Sequence, residues 1–157
     1  MTDWPDEITN GIFPEPHFDG RVINCFDGRP RDLNAMFDAA ITRAPEGEAV
    51  VGGATRLTYI ELAHQVSQLA SGLRIRGIRQ GDRVAMLLSN RSEFLIVLLA
   101  CLRLGAIAVP INIREGTPEL EYILNHCGAK VLVHGPEVAD RLPAASALPQ
   151  LAHTIAV

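Results

Sequence analysis

The stretch LLACLRLGAIAVPIN, Leu98 to Asn112, is the most apolar part of the chain and decides its fold. It joins an apolar helix pattern to an apolar strand pattern through Gly105. The longest apolar run here, Phe94 to Leu102, has nine residues, whereas a membrane-spanning helix needs about 20. The stretch is therefore predicted to be a helix and a strand at the centre of a soluble α/β core. Gly105 is predicted to end the helix in a left-handed conformation.

Strand and helix patterns alternate along the rest of the chain. Apolar residues three and four positions apart predict helices, and short runs of Val, Ile and Leu predict strands buried on both faces of a sheet. Thr58 and Glu61 form a capping box that marks one helix start. This alternation predicts repeated βαβ units and a parallel sheet flanked by helices. The predicted helices cover 33–44, 58–76, 94–104, 117–127 and, briefly, 136–142; the predicted strands cover 48–53, 84–88, 106–111, 130–134 and 153–157.

The length, composition and net charge of the chain limit the classes of protein to which it can belong. A length of 157 residues suits one domain, and 48% hydrophobic with 20% charged residues is ordinary for a globular protein. The net charge of −4 argues against nucleic-acid binding, which needs a clustered basic face. The first residues are acidic and show no signal-peptide pattern, so a cytoplasmic protein without a membrane span is predicted.

Neither the cysteines nor the histidines show a metal-binding or disulfide pattern in the sequence. Cys25, Cys101 and Cys127 are widely separated, with no CxxC pair. The five histidines include no pair at helical i,i+4 spacing. The sequence therefore predicts free cysteines that pack as small apolar residues, and it predicts no metal site.

The loop SNRSE, 89–93, is the first candidate for ligand binding. It follows a predicted strand, and open α/β sheets bind ligands at the carboxyl ends of their strands. Ser89, Asn90, Arg91 and Ser92 could therefore hold an anion at the helix start. The alternative, which the sequence favours, is that Asn90 or Ser92 simply caps that helix.

The loop NIREGTP, 112–118, follows the next predicted strand. Arg114 and Thr117 could contact a phosphate, although Thr117 is also a plausible N-cap, which is the favoured interpretation. Glu115 and Glu119 are interpreted as solvated acids of the first helical turn rather than as an acid–base pair. Motifs for dinucleotide binding, a P-loop, a nucleophile elbow or a zinc protease do not occur in the sequence.

Two motifs in fixed order carry a resemblance to a known family. They are LTYIEL at 57–62 and the opening stretch LLACLRLGAIAVPIN, with QGDRVA between them. From about residue 33 to 157 the chain resembles the beginning of the AMP-forming adenylating enzymes, which include acyl-CoA synthetases, luciferases and peptide-synthetase adenylation domains. Within that family, VPINIR at 109–114 is similar to fatty-acyl and aryl-CoA ligases.

The resemblance implies a ligase of fatty-acid or related metabolism that uses ATP, Mg²⁺ and CoA to activate a carboxylic acid through an acyl-adenylate. The family's phosphate loop and catalytic lysine have no counterpart in this sequence, and Lys130 matches neither. We therefore expect residues 1–31 to form an extended arm and 32–157 to form the first, truncated α/β subdomain. Alone, this chain is expected to be inactive, to bind no cofactor, to contain no catalytic, cofactor-binding or metal-binding residues, and to self-associate through uncovered apolar surface.

Two other functions remain open from the sequence. The chain could be a free-standing α/β module that binds a nucleotide or CoA near Asn90 and Asn112, or a non-catalytic interaction subunit. If the chain is the truncated ligase subdomain, the opening stretch is structural, and Gly105→Val is expected to destabilise the fold by about 1–3 kcal/mol.

Overall fold

The structure is a computed structural model that describes Pro5, residues 10–53 and residues 55–157. Its strands are β1 (Ile12–His17), β2 (Arg21–Phe26), β3 (Glu48–Gly52), β4 (Thr55–Thr58), β5 (Arg83–Leu87), β6 (Ile107–Pro110), β7 (Ala129–His134) and β8 (His153–Ala156). Its α-helices are α1 (Leu33–Arg43), α2 (Tyr59–Ile75), α3 (Ser92–Leu104) and α4 (Thr117–Cys127). Two 3₁₀ helices, Pro136–Arg141 and Ala145–Ala147, lie between β7 and β8.

The central element of the fold is a four-stranded parallel sheet with the order β6-β5-β7-β8. Alternate residues of β5 point to opposite faces, as the period of a strand requires. Val84 and Met86 pack in a core cluster with α1, α2 and α3, while Ala85 and Leu87 pack in a second cluster with α4. The predicted α/β class, a parallel sheet flanked by helices, is confirmed.

The predicted strand at 106–111 has a different place in the sheet from the one expected. Its regular part, β6, pairs with β5 alone and forms one edge of the four-stranded sheet. Ile107 is 50% exposed there. The prediction that this strand is buried on both faces was wrong, because an apolar run indicates that a strand is buried but does not show which strands pair with it.

The predicted strand at 48–53 also lies outside the parallel sheet. It is β3, which pairs antiparallel with β4 in a separate two-stranded sheet. β4 was not predicted from the sequence, because its last residue, Thr58, is also the N-cap of α2. The capping box itself is confirmed, with the Thr58 backbone N–H donating to Glu61 Oε2 at 2.8 Å.

Two helices end in the Schellman arrangement. At the end of α3, Gly105 has a φ of +67°, its N–H donates to the Leu102 carbonyl, and the Ala106 N–H donates to the Cys101 carbonyl at 2.9 Å. At the end of α2, the Ile78 N–H donates to the Leu73 carbonyl at 3.0 Å. These glycine-linked ends turn the chain back into the sheet, as predicted for Gly105.

Residues 12–26 form an antiparallel hairpin of β1 and β2, where the sequence analysis expected only an extended arm. The hairpin contributes no residue to either core cluster. The division at residue 31 stays a prediction. The segment at 136–142, expected to be a short helix, is the 3₁₀ helix Pro136–Arg141. Among the described residues, no helix is both long and apolar enough to cross a bilayer.

An ion pair supports the turn before β5. Asp82 is 8% exposed, accepts from the Arg79 backbone N–H at 2.8 Å, and lies 2.7 Å from Lys130 Nζ on β7. The Lys130 ammonium and then the Arg79 N–H lower the pKa of the Asp82 carboxyl. A lowered pKa means that the ionised form stabilises the fold above the ordinary Asp pKa, and that this contribution is lost as pH falls through the native-state value.

We therefore expect Asp82→Asn to lower the free energy of unfolding by about 1–2 kcal/mol at pH 7, because hydrogen bonds to a charged group are lost and Lys130 is partly solvated. Urea unfolding at neutral and strongly acidic pH measures this difference, which should shrink on acidification. Asp140→Asn changes an exposed aspartate and serves as the control. An equal deficit at both pH values would contradict the prediction.

Candidate functional site

A cleft of about 740 Å³ lies at the carboxyl edge of the parallel sheet. Ser89 follows β5 and Glu137 follows β7, and these strands are neighbours, so their carboxyl ends meet at the same edge. The β3–β4 hairpin forms the opposite wall. The lining residues are Val50, Val51, Gly52, Gly53, Thr55, Ser89, Asn90, Arg91, Ser92, Glu93, Phe94, Leu95 and Glu137.

An ion pair occupies the start of α3 on the wall of the cleft. Arg91 Nε and Nη2 each donate to Glu93, at 2.9 Å, and the Ser92 hydroxyl donates to the same carboxylate at 3.0 Å. The Arg91 guanidinium is the largest cause that lowers the pKa of Glu93, to about 2. Glu93 therefore stays ionised near neutral pH and neutralises Arg91, which leaves this arginine poorly suited to bind a second anion.

A second polar pair joins two strand ends across the floor of the cleft. The Ser89 hydroxyl donates to Glu137 Oε1 at 3.0 Å. The Glu137 backbone N–H and then Ser89 lower the pKa of the Glu137 carboxyl. Arg91 Nη1 also donates to the Val157 carbonyl at 3.2 Å, so the end of β8 reaches the same edge. The cleft thus combines an apolar wall with hydroxyl, amide and carboxylate groups, and the arrangement suits ligand binding.

The structure brings the four residues of the first predicted loop together on this cleft. Ser89, Asn90, Arg91 and Ser92 all line it. The capping interpretation was wrong, because Arg91 is the N-cap of α3 and makes no side-chain cap hydrogen bond. The Ser92 hydroxyl bonds to Glu93 instead, since the arginine–carboxylate pair places that acceptor within its reach.

The second predicted loop lies apart from the cleft. Gly116, rather than Thr117, is the N-cap of α4, and the Thr117 hydroxyl donates to the Arg141 carbonyl at 2.9 Å. The Thr117 cap was therefore wrong, because the helix begins with Thr117 itself. The Arg114 backbone N–H donates to Asn112 Oδ1, and the Glu115 carbonyl accepts from Arg141 Nη1. These contacts hold the loop against the 3₁₀ segment.

Sequence reasoning missed Glu137 and the β3–β4 wall. Glu137 occurs three residues after β7, and a search for polar residues after each predicted strand would have found it. The β3–β4 wall carries no such signal, because its position over the sheet depends on contacts between distant parts of the chain. Lys130 is held in the ion pair with Asp82 and does not line the cleft.

Comparison with known proteins defines the class of this fold and site. The family model for the AMP-binding enzymes matches residues 37–157. Among solved structures, the N-terminal domain of FACL13 from Mycobacterium tuberculosis superimposes with a TM-score of 0.74 at 32% identity, covering 81% of this chain and 34% of that one. An anthranilate CoA ligase, AuaEII, in complex with anthranoyl-AMP, gives 0.73 at 26% identity, with 78% and 24% covered. The chain belongs to the AMP-binding enzyme family.

The chain spans about a fifth of the length of the curated relatives it matches. It is 48% identical over 104 residues to a feruloyl-CoA synthase from an Amycolatopsis species, covering 66% of this chain and 21% of the relative. It is 35% identical over 116 residues to the long-chain-fatty-acid–CoA ligase FadD13 of Mycobacterium tuberculosis, covering 73% and 23%. These relatives are CoA ligases, and the predicted resemblance to the N-terminal portion of AMP-forming ligases is confirmed.

Proposed function

We propose that this chain is the first α/β subdomain of an AMP-forming ligase that joins a carboxylic acid to CoA. The observation that carries the proposal is the family match over residues 37–157, together with the small share of each CoA ligase that it covers. In the parent enzyme, the substrate carboxylate would attack the α-phosphate of ATP and release pyrophosphate. The CoA thiol would then attack the acyl-adenylate carbonyl and release AMP. The cytoplasmic location predicted from the sequence remains part of this proposal.

The cleft offers a triphosphate no unpaired basic side chain among the described residues that line it. In the cleft, Arg91 is neutralised by Glu93, and Lys130 pairs with Asp82 away from the cleft. We therefore propose that the phosphate and magnesium contacts come from other parts of the parent, and that the chain alone does not adenylate. Its own role would be to supply the packed sheet and one wall on which those parts assemble.

We further propose an aromatic acid of the hydroxycinnamate kind as the parent's substrate. The sequence identity to the feruloyl-CoA synthase, 48%, exceeds the sequence identity to the fatty-acid ligase, 35%, over stretches of comparable length. The expected result is a parent enzyme whose kcat/KM is higher for ferulate and coumarate than for palmitate. A parent that prefers palmitate would overturn this part of the proposal while leaving the ligase class intact.

The test of the ligase class begins with the gene. Its reading frame is followed past the codon for Val157, the encoded protein is purified, and acid-dependent ATP–pyrophosphate exchange is measured for it and for the 157-residue chain. We expect exchange from the longer protein and only background from the chain. Exchange by the chain alone, or a stop codon directly after Val157, would contradict the proposal.

The cleft favours one alternative, a free-standing module that binds a nucleotide or CoA. Its volume of about 740 Å³ and its place at the carboxyl edge of a parallel sheet suit such a ligand. Calorimetry of the chain with ATP and with CoA separates the two functions, because the ligase subdomain is expected to bind neither appreciably. Saturable heat that Asn90→Ala and Ser89→Ala diminish would support the module.

We also propose that the isolated chain self-associates. Ile107 on the edge strand β6, Val51 on the cleft wall and Leu95 on α3 are 50%, 58% and 40% exposed. Apolar surface of this kind in a subdomain is normally covered by the rest of a protein. Light scattering is expected to give a mass above 17.0 kDa that rises with concentration. A concentration-independent monomer would contradict this, whereas tight co-purification with a larger ligase would favour the interaction-subunit alternative.

A further inference from the structure

The β1–β2 hairpin brings together three residues that can bind a transition metal. Glu15 and His17 lie two positions apart on β1, so they share one face of the hairpin, and Cys25 reaches that face from β2. One ligand atom from each of these residues lies within 4.8 Å of the other two. The residues are half-buried, which keeps them accessible to an ion from solution.

The distances between these atoms suit a tetrahedral zinc site. His17 Nε2 lies 3.2 Å from Glu15 Oε2 and 3.6 Å from Cys25 Sγ. With zinc bond lengths of about 2.0–2.3 Å, the edges of a tetrahedron are about 3.4 Å between nitrogen and oxygen and about 3.6 Å between nitrogen and sulfur. Two of the three edges between these atoms are therefore already close to the lengths that such a site requires, and the third is within 4.8 Å.

Apart from its own strand pairing and the contacts of Arg29, the hairpin has few contacts with the rest of the described residues. Within the part of the chain that the structure describes, its strands pair with each other and with no other strand, and it contributes no residue to either core cluster. An isolated two-stranded hairpin is at best marginally stable in water. Its turn contains Phe18 and Asp19 at φ values of +40° and +59°, a conformation that costs energy for side chains other than glycine. A metal ion that links β1 to β2 would offset these costs.

We propose that Glu15, His17 and Cys25 form a zinc site that ties the two strands of the hairpin together, with water in the fourth position. Thiolate, imidazole and carboxylate are the ligands zinc uses in proteins. Zinc binding displaces the Cys25 thiol proton to solvent and leaves the ion divalent, so the step is an exchange of ligands without a change of oxidation state. This site is separate from the cleft and does not depend on the proposed ligase function.

Arg29 competes with the ion for Glu15, so the proposal predicts that removing this arginine changes metal affinity in one direction. Its Nη1 and Nη2 each donate to Glu15 at 2.7 Å, Nη1 also donates to the Phe26 carbonyl at 3.2 Å, and Nη2 lies 3.5 Å from His17 Nε2. Its guanidinium thus carries a positive charge where the metal would bind. Zinc must displace Arg29 from Glu15 Oε2, and removing the charge should strengthen binding.

The test uses the 157-residue chain titrated with Co²⁺, whose absorption reports thiolate ligation and tetrahedral geometry, and then with Zn²⁺ in competition. We expect one tetrahedral cobalt per chain with a sulfur-to-cobalt charge-transfer band, displaced by zinc. Cys25→Ser is expected to abolish the band, and His17→Ala to weaken binding at least about 100-fold. Arg29→Met is expected to strengthen it at least about threefold.

Cys127→Ser is the matched control, because its half-buried thiol lies outside the hairpin, where it donates to the Leu124 carbonyl on α4. It should leave the cobalt spectrum unchanged. Because the hairpin lies outside both core clusters, the variants at Cys25, His17 and Arg29 are expected to keep the wild-type urea unfolding of the core, which shows that they fold. Hydrogen exchange adds a second readout, in which zinc slows the hairpin amides of the wild type and leaves those of Cys25→Ser unchanged.

Absence of a charge-transfer band, a band that survives Cys25→Ser, or weaker binding by Arg29→Met would each overturn the proposal.

Discussion

Leu73→Ala is expected to lower the free energy of unfolding by about 2–4 kcal/mol, measured by urea denaturation. Leu73 lies on α2 and is 1% exposed within the larger core cluster. Truncation of a fully buried leucine removes the transfer free energy of its methyl groups and leaves a cavity that the neighbours fill only in part. This core is shared by three helices and the sheet, so the loss acts on the whole unit.

Leu73 has a second role that adds to the expected loss. It supplies the carbonyl that accepts from the Ile78 N–H, and both side chains belong to the same core cluster. In a Schellman ending, the apolar residues at these two positions pack together and fix the direction in which the chain leaves the helix. The alanine variant keeps the hydrogen bond but loses the apolar side chain that closes the turn.

Ile75→Ala is the matched control, because it removes a similar side chain from the same helix two residues later. Ile75 is 84% exposed, so its change is expected to stay within about 0.5 kcal/mol. If the two variants unfolded at the same urea concentration, the position of Leu73 in the core would be wrong.

Gly105→Val is the second large effect, with an expected loss of about 2–3 kcal/mol in the free energy of unfolding. Gly105 has a φ of +67°, where a β-branched side chain is strained. A Cβ at this position would also lie 3.1 Å from Cγ of Gln80, which is closer than ordinary packing allows. The Gly105 carbonyl accepts from the Gly81 N–H at 2.9 Å, so a shift of the backbone here would also disturb the turn before β5.

Gly72→Ala is the control for Gly105→Val, because it replaces a glycine whose backbone conformation is that of an ordinary helix. Gly72 lies inside α2, and its added Cβ would meet only Arg76 Nη1, at an ordinary 3.6 Å. Alanine at this position is expected to raise the free energy of unfolding by about 0.5–1 kcal/mol. Opposite signs for the two substitutions, measured side by side in urea, confirm the prediction; a loss at both positions would contradict it.

The candidate site could be predicted only in part. The loop at 89–92 was identified because the end of an apolar strand can be recognised in a single stretch of sequence. The chemistry of this loop was not predicted, since Arg91 could bind the anion of a ligand or a carboxylate of the protein. Only the structure shows that it pairs with Glu93. The opposite wall, with Val50 and Val51, comes from a hairpin whose position depends on packing against α2 and α3.

The proposed metal ligands on the β1–β2 hairpin could not be predicted from the sequence at all. A search along the sequence compares positions three or four residues apart, which suits ligands on a helix. Glu15 and Cys25 are ten residues apart and meet only because Phe13 pairs with Cys25 and His17 pairs with Arg21 in one register. A shift of that register by one residue would move Cys25 to the opposite face.

The sequence by itself determined the helices, the helix ends at Thr58 and Gly105, the alternation of strand and helix, and through its two motifs the family. These features depend on local hydrogen bonds, on left-handed glycine and on side-chain periodicity, all of which act within a few residues. Only the tertiary structure decided that β6 is an edge, that β3 pairs with β4, and which side chains meet in the cleft and on the hairpin. Strand partners are chosen by the burial of surfaces far apart in the chain, and no single stretch of sequence contains that choice.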